Sequence, residues 1–501
     1  MTACRTPSGK TKGTEFNALA DTPHDPEDIE VMFHPYEPTF TAIGNLIRDP
    51  NYKRIDIAMY SMEADPEKSA IIQAIIEQKH RIPHDLKIRL IYQGYDETRL
   101  QKSVEFEKLG IDVRWTGAKD VHHKFGVFYG DEHNAIVSGS GNWSSRSNHN
   151  YSENMLFLKQ HPGLTQKFLK EFELIWTSTK EFDLMDHKDT FDLEGYDSVE
   201  PMPHPDLGEP IEMWQGINAH FNSDNYKSVN GIFPDGKVRN KSPAVSTLTD
   251  KVISYIDKAK RTIHIATPRI SSRPIFDAIG RAIDRDVQVK IVSSEKEFNH
   301  AYVRPTANIG KLWSCDLSAM QTKEDLKRPD GKCCDRLRSG EFIENTYNKA
   351  CSVSQNHVKF FDELYAQDAN SRHDVRLKLF TTNPSSKSIA KQMHAKFIII
   401  DETHALAGSF NFSYNSEFSF FENMIEIDGR KYPNTVKSLM TGWKQIYEMG
   451  REGLFAQGAL MDQLKTAEKL KKKIDCPAEA RMLTYAEIQN FLRLAKKWCK
   501  N

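Results

Sequence analysis

Short apolar runs alternate along this chain with longer stretches in which apolar residues recur at helical spacing. Short apolar runs predict buried strands, and helical spacing predicts amphipathic helices. In the first part of the chain the predicted strands lie at 54–59, 87–92 and 112–115, and the predicted helices at 67–78, 98–109 and 163–177. Strands that alternate with helices predict an α/β fold, in which helices cover both faces of a mixed sheet.

The same order of elements returns in the second half of the chain. There the predicted helices lie at 246–259, 274–284 and 437–447, and the predicted strands at 262–267, 287–293 and 375–380. We therefore expect two pseudo-symmetric domains, each a mixed β-sheet flanked by helices on both faces.

Composition changes along the chain set the domain boundaries. We expect an N-terminal tether at 1–28, a first domain at 29–180, a linker with irregular loops at 181–242, a second domain at 243–457 with a cysteine-rich insertion at 295–372, and a helical tail at 458–501. Prolines are frequent in the linker, which is typical of a crossing segment. The polar stretch 218–230 is compatible with a binding loop or an ordinary surface loop, and we favour the surface loop.

Charge and hydropathy exclude some classes of protein. The 501 residues carry a formal net charge of −1 with 27% charged side chains, so no global excess of positive charge indicates a nucleic-acid partner. No apolar run approaches the length of a membrane span, and no signal peptide is visible.

The chemistry is concentrated in the stretch 393–422, whose polar residues are spaced as H-x-K, four residues, D, six residues, G-S-x-N. These are His394, Lys396, Asp401, Gly408, Ser409 and Asn411. Apolar runs at 397–400 and 405–407 predict a buried hairpin, with the histidine and the lysine on one face of its first strand. An imidazole, a fixed cation and a cluster of donors at one point are what attack at a phosphate requires.

A second copy of this pattern lies in the first half. It contains His122, Lys124, Gly139, Ser140 and Asn142. Both copies end in Glu-Asn before an apolar strand, at Glu153 and at Glu422. A repeat with shared endings is a far more specific signal than one isolated H-x-K.

The two copies resemble the paired HKD motifs of the phospholipase D superfamily. The second copy matches every signature position, whereas in the first Tyr129 stands in place of the aspartate and the hairpin is longer. We expect Asp131, in the turn, to substitute for it. The resemblance gives Asp401, Gly139 and Gly408 structural roles in the motif.

The resemblance implies one active site at the interface of the two domains. There His122 would attack phosphorus to form a covalent phosphohistidine, and His394 would protonate the leaving alkoxide. Glu153 and Glu422 would hold the Nδ1–H groups of the imidazole rings. The non-bridging oxygens would be bound by Lys124, Lys396, Asn142, Asn411, Ser140 and Ser409. The resemblance implies neither metal nor cofactor, and a monomer, because both motifs are in one chain.

Three functions are compatible with this site. The favoured one is hydrolysis or transphosphatidylation of a phospholipid headgroup at a membrane surface, in keeping with the two-copy length and the neutral charge. The alternative is an endonuclease acting on DNA or RNA, because the GSGNWS and GSFNFS motifs resemble the small nuclease branch of the superfamily. A non-catalytic module that binds phosphate or lipid is the third.

The seven cysteines bear on localisation. Cys4, in the context Thr2-Ala3-Cys4, resembles the lipidated cysteine of a bacterial lipoprotein signal, so we expect an exported protein that is periplasmic or anchored to the outer membrane. A cytoplasmic protein is the alternative. The other six form an even set that suits disulfide bonds, with Cys476 and Cys499 expected to pair in the tail. The remaining four lie in the insertion: Cys315, Cys333, Cys334 and Cys351.

Overall fold

The computed structural model describes residues 29–81, 86–93, 96–116, 120–211, 216–234, 237–242, 244–270, 272–294, 376–380, 392–449 and 451–452. All seven cysteines lie outside these ranges, as do the predicted tether, the cysteine-rich insertion and the C-terminal tail. The predictions of lipidation and disulfide pairing therefore stay predictions.

The first half of the described chain forms one sheet with helices packed against it. Its strands are β1 (Ile29–His34), β2 (Arg54–Met59), β3 (Lys87–Tyr92), β4 (Ile111–Trp115), β6 (Lys124–Tyr129), β7 (Asn134–Gly139), β8 (Tyr151–Lys159) and β9 (Lys180–Glu181), with the short β5 (Asp120–Val121) outside it. The helices are α1 (Thr39–Arg48), α2 (Ala70–Arg81), α3 (Glu97–Lys108), α4 (Ser145–Asn150) and α5 (Pro162–Trp176). The strand order is β1-β8-β7-β6-β2-β3-β4-β9. Strands β2, β3 and β4 run parallel, and the other pairs are antiparallel.

The second half repeats this arrangement. Its sheet contains β10 (Ile217–Phe221), β11 (Thr262–Ala266), β12 (Gln288–Ser294), β13 (Arg376–Phe380), β15 (Phe397–Ile400), β16 (His404–Gly408), β18 (Asn423–Asp428) and β19 (Arg451–Glu452). The other elements are the short strands β14 (Gln392–Met393) and β17 (Phe420–Phe421) and the helices α6 (Thr247–Lys258), α7 (Arg273–Asp284), α8 (Tyr414–Phe418) and α9 (Pro433–Met449). The order β10-β18-β16-β15-β11-β12-β13-β19 matches the first sheet strand for strand. The predicted fold class, two mixed sheets flanked by helices, is confirmed.

The segment predicted as linker differs from the prediction at one place. Residues Ile217–Phe221 form β10, which pairs with β18 at the edge of the second sheet. Its apolar residues alternate with polar ones, and all three apolar positions are buried. Five residues between a proline-rich stretch and a polar loop are too short for this alternation to stand out in the sequence.

The two halves share an apolar core. One buried cluster contains Phe33 of β1, Phe168 of α5, Phe397 of β15 and Trp443 of α9, so it includes side chains of both halves. Helix α9 lies directly on β1, because a Cβ atom at Gly442 would stand 2.1 Å from Cζ of Phe33. Burial of apolar surface on this scale makes the two halves one unit. Among the described helices, none combines the length and the apolar character needed to cross a bilayer.

Two short parallel pairings join the halves beside the motifs. Strand β14 pairs with the start of β8, at Tyr151 and Ser152. Strand β17 pairs with β5. The residue after β14 is His394 and the residue after β5 is His122, so each histidine is positioned by backbone of the opposite half.

A buried ion cluster fixes the centre of the first sheet. Arg89 of β3 makes a bidentate contact of 2.8 Å per bond with Asp56 of β2, binds Glu173 of α5, and is fully buried under the rings of Phe172 and Trp176. The Tyr129 hydroxyl also donates to Asp56, at 2.8 Å.

Replacing Arg89 by methionine should lower the free energy of unfolding by about 3–5 kcal/mol, because buried Asp56 loses its bidentate partner and keeps only the more distant Arg54, whose Nε lies 3.8 Å away. Urea unfolding followed by circular dichroism measures this loss. The matched control is Arg281→Ala, which breaks a half-exposed pair with Asp257 and should cost about 0–1 kcal/mol. Equal losses in the two variants would contradict the expectation.

Candidate active site

The two histidines occupy equivalent positions at the interface between the halves. The backbone N–H of His122 donates to the carbonyl of Phe421 at 3.0 Å, and the N–H of His394 donates to the carbonyl of Ser152 at 2.8 Å. Each ring keeps an exposed edge, with 13% of the His122 side chain and 15% of the His394 side chain accessible. Both imidazoles can therefore reach a ligand.

Each imidazole is held by the glutamate of the other half. Nδ1 of His122 lies 2.7 Å from Oε1 of Glu422, and Nδ1 of His394 lies 2.9 Å from both carboxylate oxygens of Glu153. Both glutamate side chains are fully buried. A carboxylate on Nδ1 fixes the tautomer and leaves Nε2 for chemistry.

The two glutamates differ in their other partners. Glu153 accepts hydrogen bonds of 2.7 Å from the hydroxyls of Ser140 and Ser147. Within the described residues, Oε2 of Glu422 is buried and has no hydrogen-bond partner. Ser416 occupies the position of Ser147 in the second half, six residues before the glutamate. The pseudo-symmetry of the sequence is thus broken at the carboxylates.

The serines of the two G-S-x-N turns do not lie where the sequence places them. Ser140 donates to Glu153, and its Oγ accepts the N–H of Asn154 at 2.9 Å. Ser409 is fully buried, and its Oγ accepts the N–H of Asn423 at 3.0 Å. The sequence predicts both hydroxyls on the phosphate oxygens, but the structure turns them toward the strand behind the histidines. In each half the strand that ends in the G-S turn can approach its neighbour this closely only because a glycine precedes the serine. A Cβ atom at Gly139 would stand 2.1 Å from the carbonyl oxygen of Asn154, and one at Gly408 would stand 2.3 Å from that of Asn423.

The two lysines are buried beside the histidines. Nζ of Lys124 donates to the carbonyl of His122 at 2.6 Å. Nζ of Lys396 donates to the carbonyl of His394 at 2.7 Å and lies 3.1 and 3.2 Å from the two ring nitrogens. Both lysines have a relative exposure of 0%. Two ammonium groups held this way are suited to binding an anion.

Burial and the two cations set the pKa values. Burial, Lys124 and Lys396 together hold the pKa of His122 well below its ordinary value. Burial also lowers the pKa of His394, but Glu153 opposes that effect. Burial lowers the pKa of Lys124 to about 7, with Glu422 opposing it.

The glutamate pKa values move in opposite directions. Burial raises the pKa of Glu422 to about 7, in spite of the nearby charge of Lys124. For Glu153 the effect of burial is outweighed by His394, Lys396 and the Ser140 hydroxyl, so its pKa is lowered. Near neutral pH Glu153 is therefore a carboxylate, whereas Glu422 is close to its midpoint.

The asparagines of the two turns carry unused polar atoms. Oδ1 of Asn142 and Oδ1 of Asn411 are buried, and within the described residues neither has a hydrogen-bond partner. Buried amide groups are normally satisfied. Two such groups at equivalent positions of the two motifs are compatible with binding of a ligand, as the sequence predicts.

Asp401 caps the start of a strand. Its carboxylate accepts hydrogen bonds from the N–H groups of Lys260, Arg261 and Thr262, at 3.0, 2.7 and 2.9 Å. In the first half the expected substitute, Asp131, is exposed on the turn. There the carbonyl of Tyr129 accepts the N–H of Lys53 at 2.9 Å. A backbone carbonyl therefore binds an N–H group just before β2, as the Asp401 carboxylate does at the start of β11.

Aromatic rings border both histidines and were not predicted. The rings of Tyr60 and Phe420 lie 5.2 and 5.5 Å from that of His122, and the ring of Tyr151 lies 5.6 Å from that of His394. Phe420 and Tyr151 occupy matching positions, each two residues before its glutamate. That repeated aromatic position was the signal available in the sequence.

A second histidine network lies behind the site. Nε2 of His123 is 3.0 Å from Oε1 of Glu171 on α5, and the hydroxyl of Ser223, from the second half, donates to the other oxygen of Glu171. All three residues are buried. The network links the halves directly behind His122. In the sequence, the one sign of this network is that His123 directly follows His122 in the first motif.

Two similar halves that share one pair of histidines, two lysines and two crossed glutamates are the arrangement of the phospholipase D superfamily. The chain belongs to the family described as "Cardiolipin synthase, PLD-like domain", whose model matches residues 45–176 and 252–443. Both matched segments include one copy of the motif. No curated protein sequence matches the chain.

The chain is similar to several solved structures, the first of which shares its fold. Phosphatidylserine synthase from Haemophilus influenzae Rd KW20 aligns with a TM-score of 0.53 at 13% identity, over 88% of this chain and 92% of that one. Polyphosphate kinase from Porphyromonas gingivalis aligns with a TM-score of 0.40 at 11% identity, over 85% and 48% of the two chains. Nuc, a phospholipase D family member from Salmonella typhimurium, aligns with a TM-score of 0.24 at 17% identity, over 47% and 96%. In the described part of the chain, no group of His, Cys, Asp and Glu is arranged to hold a metal ion.

Proposed function

We propose that this protein cleaves a phospholipid phosphodiester and transfers the phosphatidyl group, through His122, to water or to an alcohol. The observation that carries the proposal is the crossed pairing, in which His122 is bound to Glu422 and His394 to Glu153. The carboxylates take Nδ1 of both rings, so neither Nε2 atom is bound by a glutamate.

The unequal surroundings of the histidines support unequal roles. His122, with a pKa well below the ordinary value, is neutral and able to attack phosphorus through Nε2. Glu153 is a carboxylate that raises the proton affinity of His394, so His394 suits the role of acid. As the His122–phosphorus bond forms, the bond to the leaving oxygen breaks and His394 gives that oxygen its proton. In the second step His394 takes a proton from water or an alcohol, which displaces His122.

The charge on phosphorus is met by the buried cations. Lys124 and Lys396 lie on the same strand face as their histidines, two residues further along, and Asn142 and Asn411 add buried amides from the two turns. Fixed donors in a water-poor cleft stabilise the added charge without reorganisation. The crossed glutamates balance the positive charge that develops on each imidazole.

A lipid substrate is supported by the family to which the chain belongs, which is named for a cardiolipin synthase. The shared fold with a phosphatidylserine synthase, over most of both chains, is in keeping with it. Both names are those of synthases of a phospholipid. They support keeping transfer beside hydrolysis, as the sequence also predicts.

The test is to incubate the purified protein in EDTA with phosphatidylglycerol, phosphatidylcholine, phosphatidylethanolamine, or single- and double-stranded DNA, with and without added glycerol. Release of a headgroup, or a new phosphatidyl ester of the added alcohol, supports the proposal. Nicked DNA with intact lipid would replace it by the nuclease function. The His122→Ala protein is the blank for contaminating activities.

The pH profile of the same reaction follows from two pKa values of about 7. Below about pH 7 Glu422 takes a proton and no longer balances the charge on His122, and above about pH 7 Lys124 loses its charge. We expect kcat/KM to be a narrow bell centred near pH 7. A bound phosphodiester anion raises the pKa of Lys124, so the alkaline limb of kcat should lie at higher pH than that of kcat/KM.

The control is Glu422→Gln, which should move the acid limb to lower pH while reducing the maximum. The buried pair Glu422–His122 titrates as a unit, so the acid limb belongs to the pair. A kcat/KM that is flat from about pH 5 to 8 would contradict this account, because histidines and a carboxyl near neutrality could not then be involved.

A further inference from the structure

Residues 226–234 and 237–241 belong to a loop that is closed by the antiparallel pair Tyr226–Asn240, and we name it the hairpin 226–241. Val229 and Ile232 exchange two backbone hydrogen bonds, of 2.9 and 3.1 Å, around a turn made by Asn230 and Gly231. Both turn residues have positive φ, 51° and 73°, which is the geometry that Asn-Gly favours in a two-residue hairpin turn. We name Val229 and Ile232 the apolar tip.

The apolar tip is exposed although its side chains are β-branched and hydrophobic. Val229 is 62% accessible and Ile232 is 53% accessible. Directly paired residues of an antiparallel ribbon present their side chains on the same face, so the two form one small apolar surface. A single exposed apolar residue is ordinary, but a rigid turn that presents two together is not explained by the fold.

The base of the hairpin is buried against the active site. The rings of Tyr226 and Phe233 lie 5.6 and 5.9 Å from that of Phe421, whose carbonyl accepts the N–H of His122. The Tyr226 hydroxyl also donates to the carbonyl of Phe420 at 3.2 Å, and Phe420 borders the His122 ring. Phe233 of the base directly follows Ile232 in the chain, so the apolar tip lies next to this buried base.

The hairpin is also basic. Within 226–241 the sequence has four positive residues, Lys227, Lys237, Arg239 and Lys241, against one acidic residue, Asp235. All four positive residues are exposed. An apolar end with cations behind it matches the cross-section of a bilayer surface, where acyl chains lie beneath anionic headgroups.

We propose that the hairpin 226–241 docks the protein on an anionic lipid surface, with the apolar tip inserted below the headgroups and the four cations at their level. Since the hairpin base contacts the backbone beside His122, docking would bring the cleft to the membrane. The inference deepens the proposed function and rests on it, because docking serves catalysis only if the substrate is a phospholipid. It replaces the ordinary surface loop expected from the sequence at the start of this segment.

The experiment measures co-flotation of the full chain with vesicles of phosphatidylcholine alone and of phosphatidylcholine mixed with phosphatidylglycerol. Wild-type protein should bind the mixed vesicles and bind phosphatidylcholine less. The double variant Val229→Thr with Ile232→Thr keeps the β-branched shape of the turn and should weaken binding about tenfold, since it removes apolar surface from the bilayer. Lys227→Gln with Lys241→Gln should weaken binding to the mixed vesicles by about fivefold per charge.

Matched variants separate the hairpin from the rest of the surface. Ile211→Thr changes an isoleucine that is 48% accessible but is followed directly by Glu212 in the sequence, and it should bind vesicles as wild type does. Lys159→Gln with Lys188→Gln removes two exposed charges outside the hairpin and should weaken binding less than the Lys227 and Lys241 pair. Ile232→Trp should bind vesicles more tightly than wild type, and quenching of its indole fluorescence by brominated acyl chains should place the indole below the headgroups. Tighter binding of this kind could not result from misfolding.

The outcomes distinguish this proposal from the enzymatic one. Wild-type protein that does not bind mixed vesicles, or a threonine tip variant that binds as well as wild type, overturns the docking proposal even if lipid is turned over. Tip-dependent binding without turnover of any phospholipid leaves docking standing and overturns the proposed function. Binding of DNA that depends on the lysines but not on the apolar tip would make the hairpin a polyanion surface and overturn docking.

Discussion

Alanine at His122 or at His394 is expected to reduce turnover by about a thousandfold or more, because each ring is one member of a catalytic unit. The variants should differ in what they accumulate. With a substrate whose leaving group needs no proton, the His394→Ala protein should still form a phosphoenzyme, and the His122→Ala protein should not. Phosphopeptide mapping after quenching without acid should place the adduct on His122.

A suitable control is His220→Ala. His220 pairs with Glu426 at 2.6 Å in the second sheet, outside the motifs, so turnover should remain that of wild type. An adduct on His394 would reverse the two roles and keep the mechanism. Full activity in either catalytic variant would mean that the two motifs do not form one site.

Glutamine at Glu153 is expected to have the second largest effect, a loss of about 10²–10⁴ in kcat, comparable to removing the carboxylate that orients a catalytic histidine. Because the pairing crosses the interface, the change should lower the pKa of His394 and leave that of His122 nearly unmoved. Nuclear magnetic resonance titration of the two imidazoles measures this directly.

The mirror variant, Glu422→Gln, should cost less near neutral pH. Glu422, whose pKa is raised to about 7, is already partly protonated there, whereas Glu153 is ionised and holds two serine hydroxyls. The matched control is Glu426→Gln, which alters the His220 pair and should leave turnover unchanged. If Glu153→Gln moved the titration of His122 instead of His394, the crossed arrangement would be wrong.

The crossed pairing has a consequence for the architecture of the protein. Neither half contains both members of a motif histidine–glutamate pair, since Glu422 binds the ring of His122 and Glu153 binds the ring of His394. The strand pairs β5–β17 and β14–β8 hold this exchange in place immediately before each histidine. The two halves must therefore be assembled for either imidazole to be oriented.

Much of the fold was readable from local patterns. The strands Arg54–Met59 and Lys87–Tyr92 have the bounds that their apolar runs predict, and most of the predicted helices lie within three residues of the observed ones. The short elements were not readable. β5, β14 and β17 have two residues each and exist only because the opposite half supplies a partner strand.

The sequence by itself determined that there are two similar halves, that each carries a histidine and a lysine at strand spacing, and that each ends in Glu-Asn. These features depend on residue spacing, which local geometry converts directly into positions on a strand. It could not determine which glutamate serves which histidine, because the partners are 300 and 241 residues apart and meet only through packing of the halves.

Only the tertiary structure decided that Ser140 and Ser147 face Glu153, that burial raises the pKa of Glu422, and that His394 and Lys396 outweigh burial at Glu153 and lower its pKa. Burial and the sum of nearby charges set such values, and neither is a property of a residue's neighbours in sequence. The same holds for Val229 and Ile232. Their apolar side chains predict nothing alone, and it is the turn between them that leaves both exposed above the buried base of the hairpin.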